Sequence, residues 1–164
     1  MKTLENIQRK ILNNNSLSLT IQQWRSENQS IVFTNGCFDL LHPGHITYLA
    51  KAADEGSKLI IGVNSDSSVQ KLKGSSRPIL DENARLLNLS ALAFVDAVIL
   101  FHEDTPLNLI KKVLPDVLIK GGDYQINEIV GYDIVKTNGG IVITIPLIPQ
   151  YSTSMIESKI INFK

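Results

Sequence analysis

His42 and His45 flank Pro43-Gly44, directly after the apolar run Ile31-Val32-Phe33-Thr34 and a loop through Gly36. Proline at a helix start sits where the first backbone N–H groups have no intrahelical partners. Such a terminus binds phosphate through those groups and its dipole. Gly44 carries no Cβ, so an anion can come close to the backbone. Residues three apart at a helix start face the same way. Both imidazoles therefore point at the bound anion and can donate to phosphate oxygens as charge grows in a phosphoryl transition state. Cys37, Asp39, His42 and His45 are also potential metal ligands, but their spacing matches no common zinc frame, and no metal site is expected. Cys37 reads as a small, semi-buried thiol.

Three further clusters carry groups suited to anions. Lys71, Lys73 and Arg77 lie in the polar stretch 64–78. Lysine is a mobile point charge and arginine a bidentate fork for phosphate, so this stretch can bring cations between two polyanions; a solvated basic loop is the plain alternative. Lys120-Gly121-Gly122-Asp123 follows another apolar run. Its glycines let a flat base or a ribose approach the backbone, and Asp123 can accept from a hydroxyl or amino group. A tight turn capped by Asp123 accounts for the same residues. Ser152-Thr153-Ser154 opens the last helix, where hydroxyls and free N–H groups form a second anion site or a simple N-cap.

The elements that must position these groups follow from the apolar pattern. Two short amphipathic helices, at about 4–12 and from Ser18 to before Ser30 with Ile21 and Trp24 at helical spacing, form a helical extension over 1–30. From 31 to 164 apolar strands alternate with helices. Strands are expected at 31–34, 58–63, 95–101, 116–119 and 141–145. Helices are expected at 43–55, 82–94, 105–113, 127–137 and from 152 or 153. Strands that are apolar throughout predict an α/β fold, a Rossmann-like, doubly wound, five-stranded parallel sheet with helices on both faces. Ligands of such sheets bind beyond the carboxyl ends of the strands, where strand order reverses. The loops 35–45, 120–123 and 146–154 are thus where chemistry is expected.

A chain of 164 residues suits one domain with a sizeable core. Lys+Arg and Asp+Glu both number 16, so there is no basic excess for a nucleic-acid partner. A single cysteine permits no internal disulfide and fits a reducing compartment. The first twelve residues hold neither a signal peptide nor a membrane span. The expected address is cytoplasmic.

The motif His42-Pro43-Gly44-His45, preceded by Gly36-Cys37-Phe38-Asp39-Leu40-Leu41, resembles the signature of the cytidylyltransferase-like nucleotidyltransferases. Within that family five motifs in order are similar to the D-glycero-β-D-manno-heptose 1-phosphate adenylyltransferase branch. They are Thr34-Asn35-Gly36-Cys37-Phe38-Asp39, Leu72-Lys73-Gly74 with Arg77-Pro78, Val95-Asp96, Lys120-Gly121-Gly122-Asp123-Tyr124 and Tyr151-Ser152-Thr153-Ser154.

The resemblance implies that a sugar-phosphate oxygen attacks the α-phosphorus of ATP and pyrophosphate leaves, with no covalent enzyme intermediate. It implies His42, His45 and Lys73 as catalytic residues. It places Thr34, Asn35, Gly36, Cys37, Phe38, Gly44, Gly121, Gly122 and Asp123 around the nucleotide, and Ser152, Thr153 and Ser154 on its β and γ phosphates. Asp39, Lys71, Arg77 and Arg85 fall near the sugar phosphate. Magnesium is expected to be held mainly by the nucleotide, because the sequence offers no carboxylate cluster. Ser154 stands where these relatives usually have threonine, and the hydroxyl survives. Pro149-Gln150 replaces the Arg-Thr-Glu of the glycerol-phosphate cytidylyltransferases, which favours the heptose type. Many relatives are fused to a sugar kinase; none is read in these 164 residues, so a separate kinase is expected to supply the sugar 1-phosphate. An exposed apolar face on the lead-in helices could serve a homodimer. Cytidylyl transfer to a polyol phosphate such as glycerol 3-phosphate, and a non-catalytic nucleotide-binding module, remain open alternatives.

Overall fold

The computed structural model describes residues 2–149 and 151–163; Met1, Gln150 and Lys164 lie outside them. In chain order the elements are α1 (Thr3–Arg9), β1 (Ile11–Leu12), α2 (Asn14–Ser26), β2 (Ile31–Gly36), α3 (Pro43–Ala53), β3 (Lys58–Asn64), α4 (Asp66–Lys73), α5 (Glu82–Ser90), β4 (Ala97–Phe101), α6 (Leu107–Val113), β5 (Val117–Gly121), α7 (Tyr132–Thr137), β6 (Ile141–Ile145) and α8 (Thr153–Ile161). A short 3-10 turn, Ile126–Glu128, precedes α7. Among the described residues no helix is long and apolar enough to cross a membrane.

All strands are parallel, in the order β1-β4-β3-β2-β5-β6. Alternate strand residues feed opposite faces, as the two-residue pleat requires. Val32, Leu59, Ile61 and Val98 pack with Leu49 of α3 and Leu86 and Leu89 of α5. Ile31, Phe33, Ile60 and Ile99 pack with Leu17 and Ile21 of α2, Ile110 of α6 and Val135 of α7. The chain winds outward from β2 to β3 and β4, then returns to the other side of β2 for β5 and β6. Strand order therefore reverses between β2 and β5, and the crevice of such a sheet opens at their carboxyl ends.

The sheet has six strands rather than the five expected. Residues 11–12, read as the end of a helix, pair with Val98 and Ile99, and the Val98 N–H donates to the Lys10 carbonyl at 2.8 Å. Two adjacent apolar residues fit either period, so the tertiary partner decides. α2 starts at Asn14, four residues earlier than Ser18. The Asn13 carboxamide accepts from the amides of Asn15 and Ser16 at 2.9 and 3.0 Å, and the Ser16 hydroxyl accepts from the Asn13 amide at 2.9 Å. That reciprocal pair is a capping box. Burial of Leu17 and Ile21 anchors α2 to the sheet by about 1.5–3 kcal/mol for each side chain. The polar stretch 64–78 also contains a helix, α4, capped by Ser65, whose hydroxyl accepts from the Ser68 amide at 3.3 Å. The helix expected at 127–137 is instead the 3-10 turn and the shorter α7, interrupted at Gly131 with φ +92°.

Candidate active site

His42 is the N-cap of α3 and Pro43 its first residue. The His45 backbone N–H donates to His42 Nδ1 at 3.3 Å. A ring nitrogen that accepts carries no proton, so in neutral His42 the proton sits on Nε2. His42 thus presents an N–H outward while its other nitrogen closes the helix. The His45 ring stacks on it, centroids 3.7 Å apart and planes 21° apart, with the Phe38 ring edge-on at 5.4 Å. Phe38 has φ +47°, a left-handed conformation that a bulky residue rarely adopts and that clusters at functional loops. A Cβ on Gly44 would lie 3.0 Å from His42 Nδ1 and 3.3 Å from the Tyr151 Cβ. Glycine thus lets the start of α3 lie against the segment that leads into α8.

Burial pulls the His45 pKa down to about 4, helped by the charges of His42 and Lys73 and opposed by a hydrogen bond with the Leu40 backbone. Burial also lowers His42. Two stacked imidazoles at this distance resist double protonation, so at neutral pH each carries one N–H. Among the described residues His45 Nδ1 is the one buried side-chain nitrogen or oxygen with no hydrogen-bond partner.

The His45 shift has a measurable consequence. In the unfolded chain the ring takes its proton near its ordinary value, 6.5; in the fold it does so only near 4. Between those values the unfolded state binds more protons, so stability falls as pH falls from 6.5 to 4. Urea midpoints measured across that range should drop less steeply for His45→Gln than for the wild type. Equal slopes would refute the assignment.

Two cavities meet at this helix start. The larger, about 490 Å³, opens over the carboxyl ends of β2 and β5 and is lined by Asn35, Gly36, Cys37, Phe38, Asp39, Tyr48, Lys120 and Gly121, among others. The smaller, about 220 Å³, lies between the starts of α3 and α8 and is lined by His42, Gly44, Tyr151, Ser152 and Ser154. His45, Lys73, Leu147 and Thr153 line both. The seam therefore carries an imidazole, an ammonium and a hydroxyl at the start of a helix. Lys73 forms no ion pair with any described residue. Ser152 caps α8, its hydroxyl accepting from the Met155 amide at 3.2 Å.

Several expected site residues stand elsewhere. Thr34 is fully buried, and its hydroxyl shares a 2.6 Å hydrogen bond with the Tyr48 phenol, so it supports the cavity wall without lining it. Gly122 and Asp123 line neither cavity; Gly122 turns the chain at φ +110° and its N–H donates to the Ile145 carbonyl at 3.0 Å, while Asp123 is exposed. Of the three loop residues expected there, only Gly121 borders the cavity, with a hypothetical Cβ 3.0 Å from Leu147 and 3.1 Å from the Tyr48 ring. Lys71 turns outward to Asp104 at 2.9 Å, because residues two apart on a helix do not share a face with Lys73.

Arg77 is buried between Asp39 at 3.0 Å and Glu157. Arg85 is fully buried and donates to the carbonyls of Leu80, Cys37 and Asn64 and to the Asp66 carboxylate. Both arginines are engaged inside the protein and not held out to a substrate. Asp39 borders the larger cavity, but its oxygens are occupied by Arg77 and by the amides of Ile79 and Leu80 at 2.8 and 3.0 Å. Burial pushes its pKa up, and the hydrogen bonds from Leu80, Arg77 and Ile79 outweigh that and hold it low. Burial raises the Cys37 thiol against the pull of Lys73 and Arg85, which suits a wall and not a nucleophile.

Tyr48 and Lys120 also line the larger cavity and were not among the expected site residues. Tyr48 lies three residues past His45, a spacing that puts both on one helix face. Burial pushes its phenol up to about 12. Lys120 is the penultimate residue of β5 at the crevice edge, beside the Tyr124 ring at 5.6 Å, and burial lowers its pKa.

Residues 33–162 match the model of the cytidylyltransferase-like family. The chain is 51% identical over 151 residues to the bifunctional protein HldE of Methylobacillus flagellatus, covering 92% of this chain and 31% of that protein. It is 49% identical over 156 residues to HldE of Pseudomonas entomophila, covering 95% and 33%. The chain thus spans about a third of the length of these curated relatives. A lipopolysaccharide core biosynthesis protein of Thermoplasma volcanium superposes with a TM-score of 0.59 at 32% identity, over 76% of this chain and 99% of that one. The pantoate-β-alanine ligase of Francisella tularensis shares the fold, with a TM-score of 0.58 at 17% identity over 88% of this chain and 68% of that one.

Proposed function

The chain belongs to the cytidylyltransferase-like family, and on that premise we propose that it transfers AMP from ATP to D-glycero-β-D-manno-heptose 1-phosphate. The products are ADP-heptose and pyrophosphate, the nucleotide sugar feeding the lipopolysaccharide core in the cytoplasm. An upstream kinase must supply the anomeric phosphate. The observation that carries this reading is the seam: one cavity of nucleotide size and one of anion character meet at His45, Lys73, Leu147 and Thr153. The names of the HldE relatives and of the core-biosynthesis structure agree with it.

In this reading the α-phosphate sits at the seam and the adenosine extends over Gly121. The β and γ phosphates lie in the smaller cavity, between the free N–H groups of α3 and α8. A phosphate oxygen of the sugar attacks the α-phosphorus in line, the bond to the bridging β-phosphate oxygen breaks, and pyrophosphate leaves on the opposite side. His42 Nε2–H, His45 and Lys73 stabilise the charge that spreads over the equatorial oxygens. No proton need be abstracted, because the attacking oxygen is already anionic. Among the described residues no three His, Cys, Asp or Glu side chains converge to hold a metal ion. Magnesium would come with the triphosphate.

Pyrophosphate release with ATP or CTP, each paired with heptose 1-phosphate or glycerol 3-phosphate, tests the proposal. ATP with the heptose phosphate should be the productive pair. Turnover confined to CTP with glycerol 3-phosphate would replace it with polyol-phosphate cytidylyl transfer.

A further inference from the structure

α8 supplies one wall of the smaller cavity, yet none of its described side chains is buried. Met155, Ile160 and Ile161 face solvent, so packing alone holds this helix weakly. Its polar tie to the body is Glu157. Arg77 Nη2 donates to the Glu157 carboxylate, and among the described residues no other α8 side chain makes a hydrogen bond or ion pair to another element. Arg77 itself is fixed. It is buried, its Nη1 donates to Asp39 Oδ2 at 3.0 Å, and the other Asp39 oxygen receives the Ile79 and Leu80 amides. Asp39 stands three residues before His42, in the loop that ends at the α3 cap.

An unbroken ion-pair chain, Asp39–Arg77–Glu157, thus joins the loop of the histidines to the helix of Ser152–Ser154. Glu157 is four residues past Thr153, one turn along the same helix face. Fixing Glu157 fixes the rotation of the first turn of α8, and with it the direction of the free N–H groups there. Arg77 also neutralises a carboxylate close to a helix start, where its charge would repel a phosphate.

The geometry points to Arg77 and Glu157 as positioning residues, a clasp that holds the start of α8 against the β and γ phosphates of the nucleotide. This rests on the adenylyltransferase reading above. Glu157 is the member to test, because its side chain is 39% exposed and its change leaves the buried Asp39–Arg77 pair intact.

Glu157→Gln should weaken ATP binding in calorimetry by about tenfold, the scale of one charge-assisted hydrogen bond. AMP, which lacks the β and γ phosphates, should bind as it does to the wild type. KM for ATP should rise in parallel, with a smaller change in kcat at saturating ATP, and Glu157→Asp should recover part of the loss. A wild-type melting temperature would show that the fold is intact. Unchanged or tighter ATP binding overturns the clasp, and so does an equal loss for AMP. A wild-type chain that binds neither nucleotide sinks the adenylyltransferase reading and the clasp together. One that binds ATP but releases no pyrophosphate with any acceptor sinks the chemistry alone, and the ATP-against-AMP comparison still decides the clasp.

Discussion

His42→Asn and His45→Asn should each lower kcat by about two to four orders of magnitude, the range for removing one transition-state donor. The loss should fall on kcat more than on KM, because the imidazole N–H groups gain most as charge develops on the transferring phosphoryl group. His42 needs a finer test, since it plays two parts: Nδ1 caps α3 by accepting from the His45 amide, and Nε2–H is the donor left over. Asparagine is a good N-cap and alanine a poor one, a difference of about 1 kcal/mol in stability. His42→Asn and His42→Ala should therefore share the same low kcat while differing in urea midpoint. If asparagine restored turnover along with stability, His42 would be a cap and nothing more. For His45 the fold should survive, because the residue brings a buried nitrogen with no protein partner. A His45→Asn chain that melts with the wild type but turns over normally would remove the imidazole pair from the mechanism.

How far this site can be read from the chain depends on which interactions are local. The start of α3 is local: Pro43, Gly44 and Gly56 bracket it, and two histidines three apart must share its first turn. The crevice is legible too, because buried strands alternating with helices fix where ligands bind. The roles of the cations are not. Lys71 and Lys73 look equivalent in a polar stretch, and only the helix between Asp66 and Lys73 sends one to Asp104 and the other to the seam. Arg77 and Arg85 are expected near the sugar phosphate, and local pattern does not correct this because their partners are remote in sequence. Asp39 lies 38 residues from Arg77, and Cys37 lies 48 from Arg85. Nothing in local pattern reports a buried arginine that is already satisfied. Asn13 shows the reverse case, where the capping signal was present three residues ahead of Ser16 but lay in a run of three asparagines that reads as featureless.

Arg85→Met should destabilise the protein by about 3–5 kcal/mol, the cost of breaking a buried, fully hydrogen-bonded charge. The guanidinium is fully buried and donates at 3.1 Å to the Leu80 carbonyl, 2.6 Å to Cys37, 2.7 Å to Asn64 and 2.8 Å to Asp66. Those four groups belong to the loop before α5, the loop after β2, the end of β3 and the start of α4. Methionine fills similar space but offers no donor, so the carbonyls lose their partner, each at about 1–3 kcal/mol if no water replaces it. Domains of this size hold about 5–15 kcal/mol in total, so the variant should be partly unfolded at mild temperature. Arg85→Lys should fall between, since one ammonium cannot span acceptors that a planar fork reaches from several sides. Urea midpoints at neutral pH measure the series. The same three proteins separate a structural from a ligand-binding arginine: the folded fraction of Arg85→Lys should bind ATP and sugar phosphate nearly as the wild type does. A midpoint unchanged in Arg85→Met, with binding of the sugar phosphate lost, would put the guanidinium in the substrate site after all.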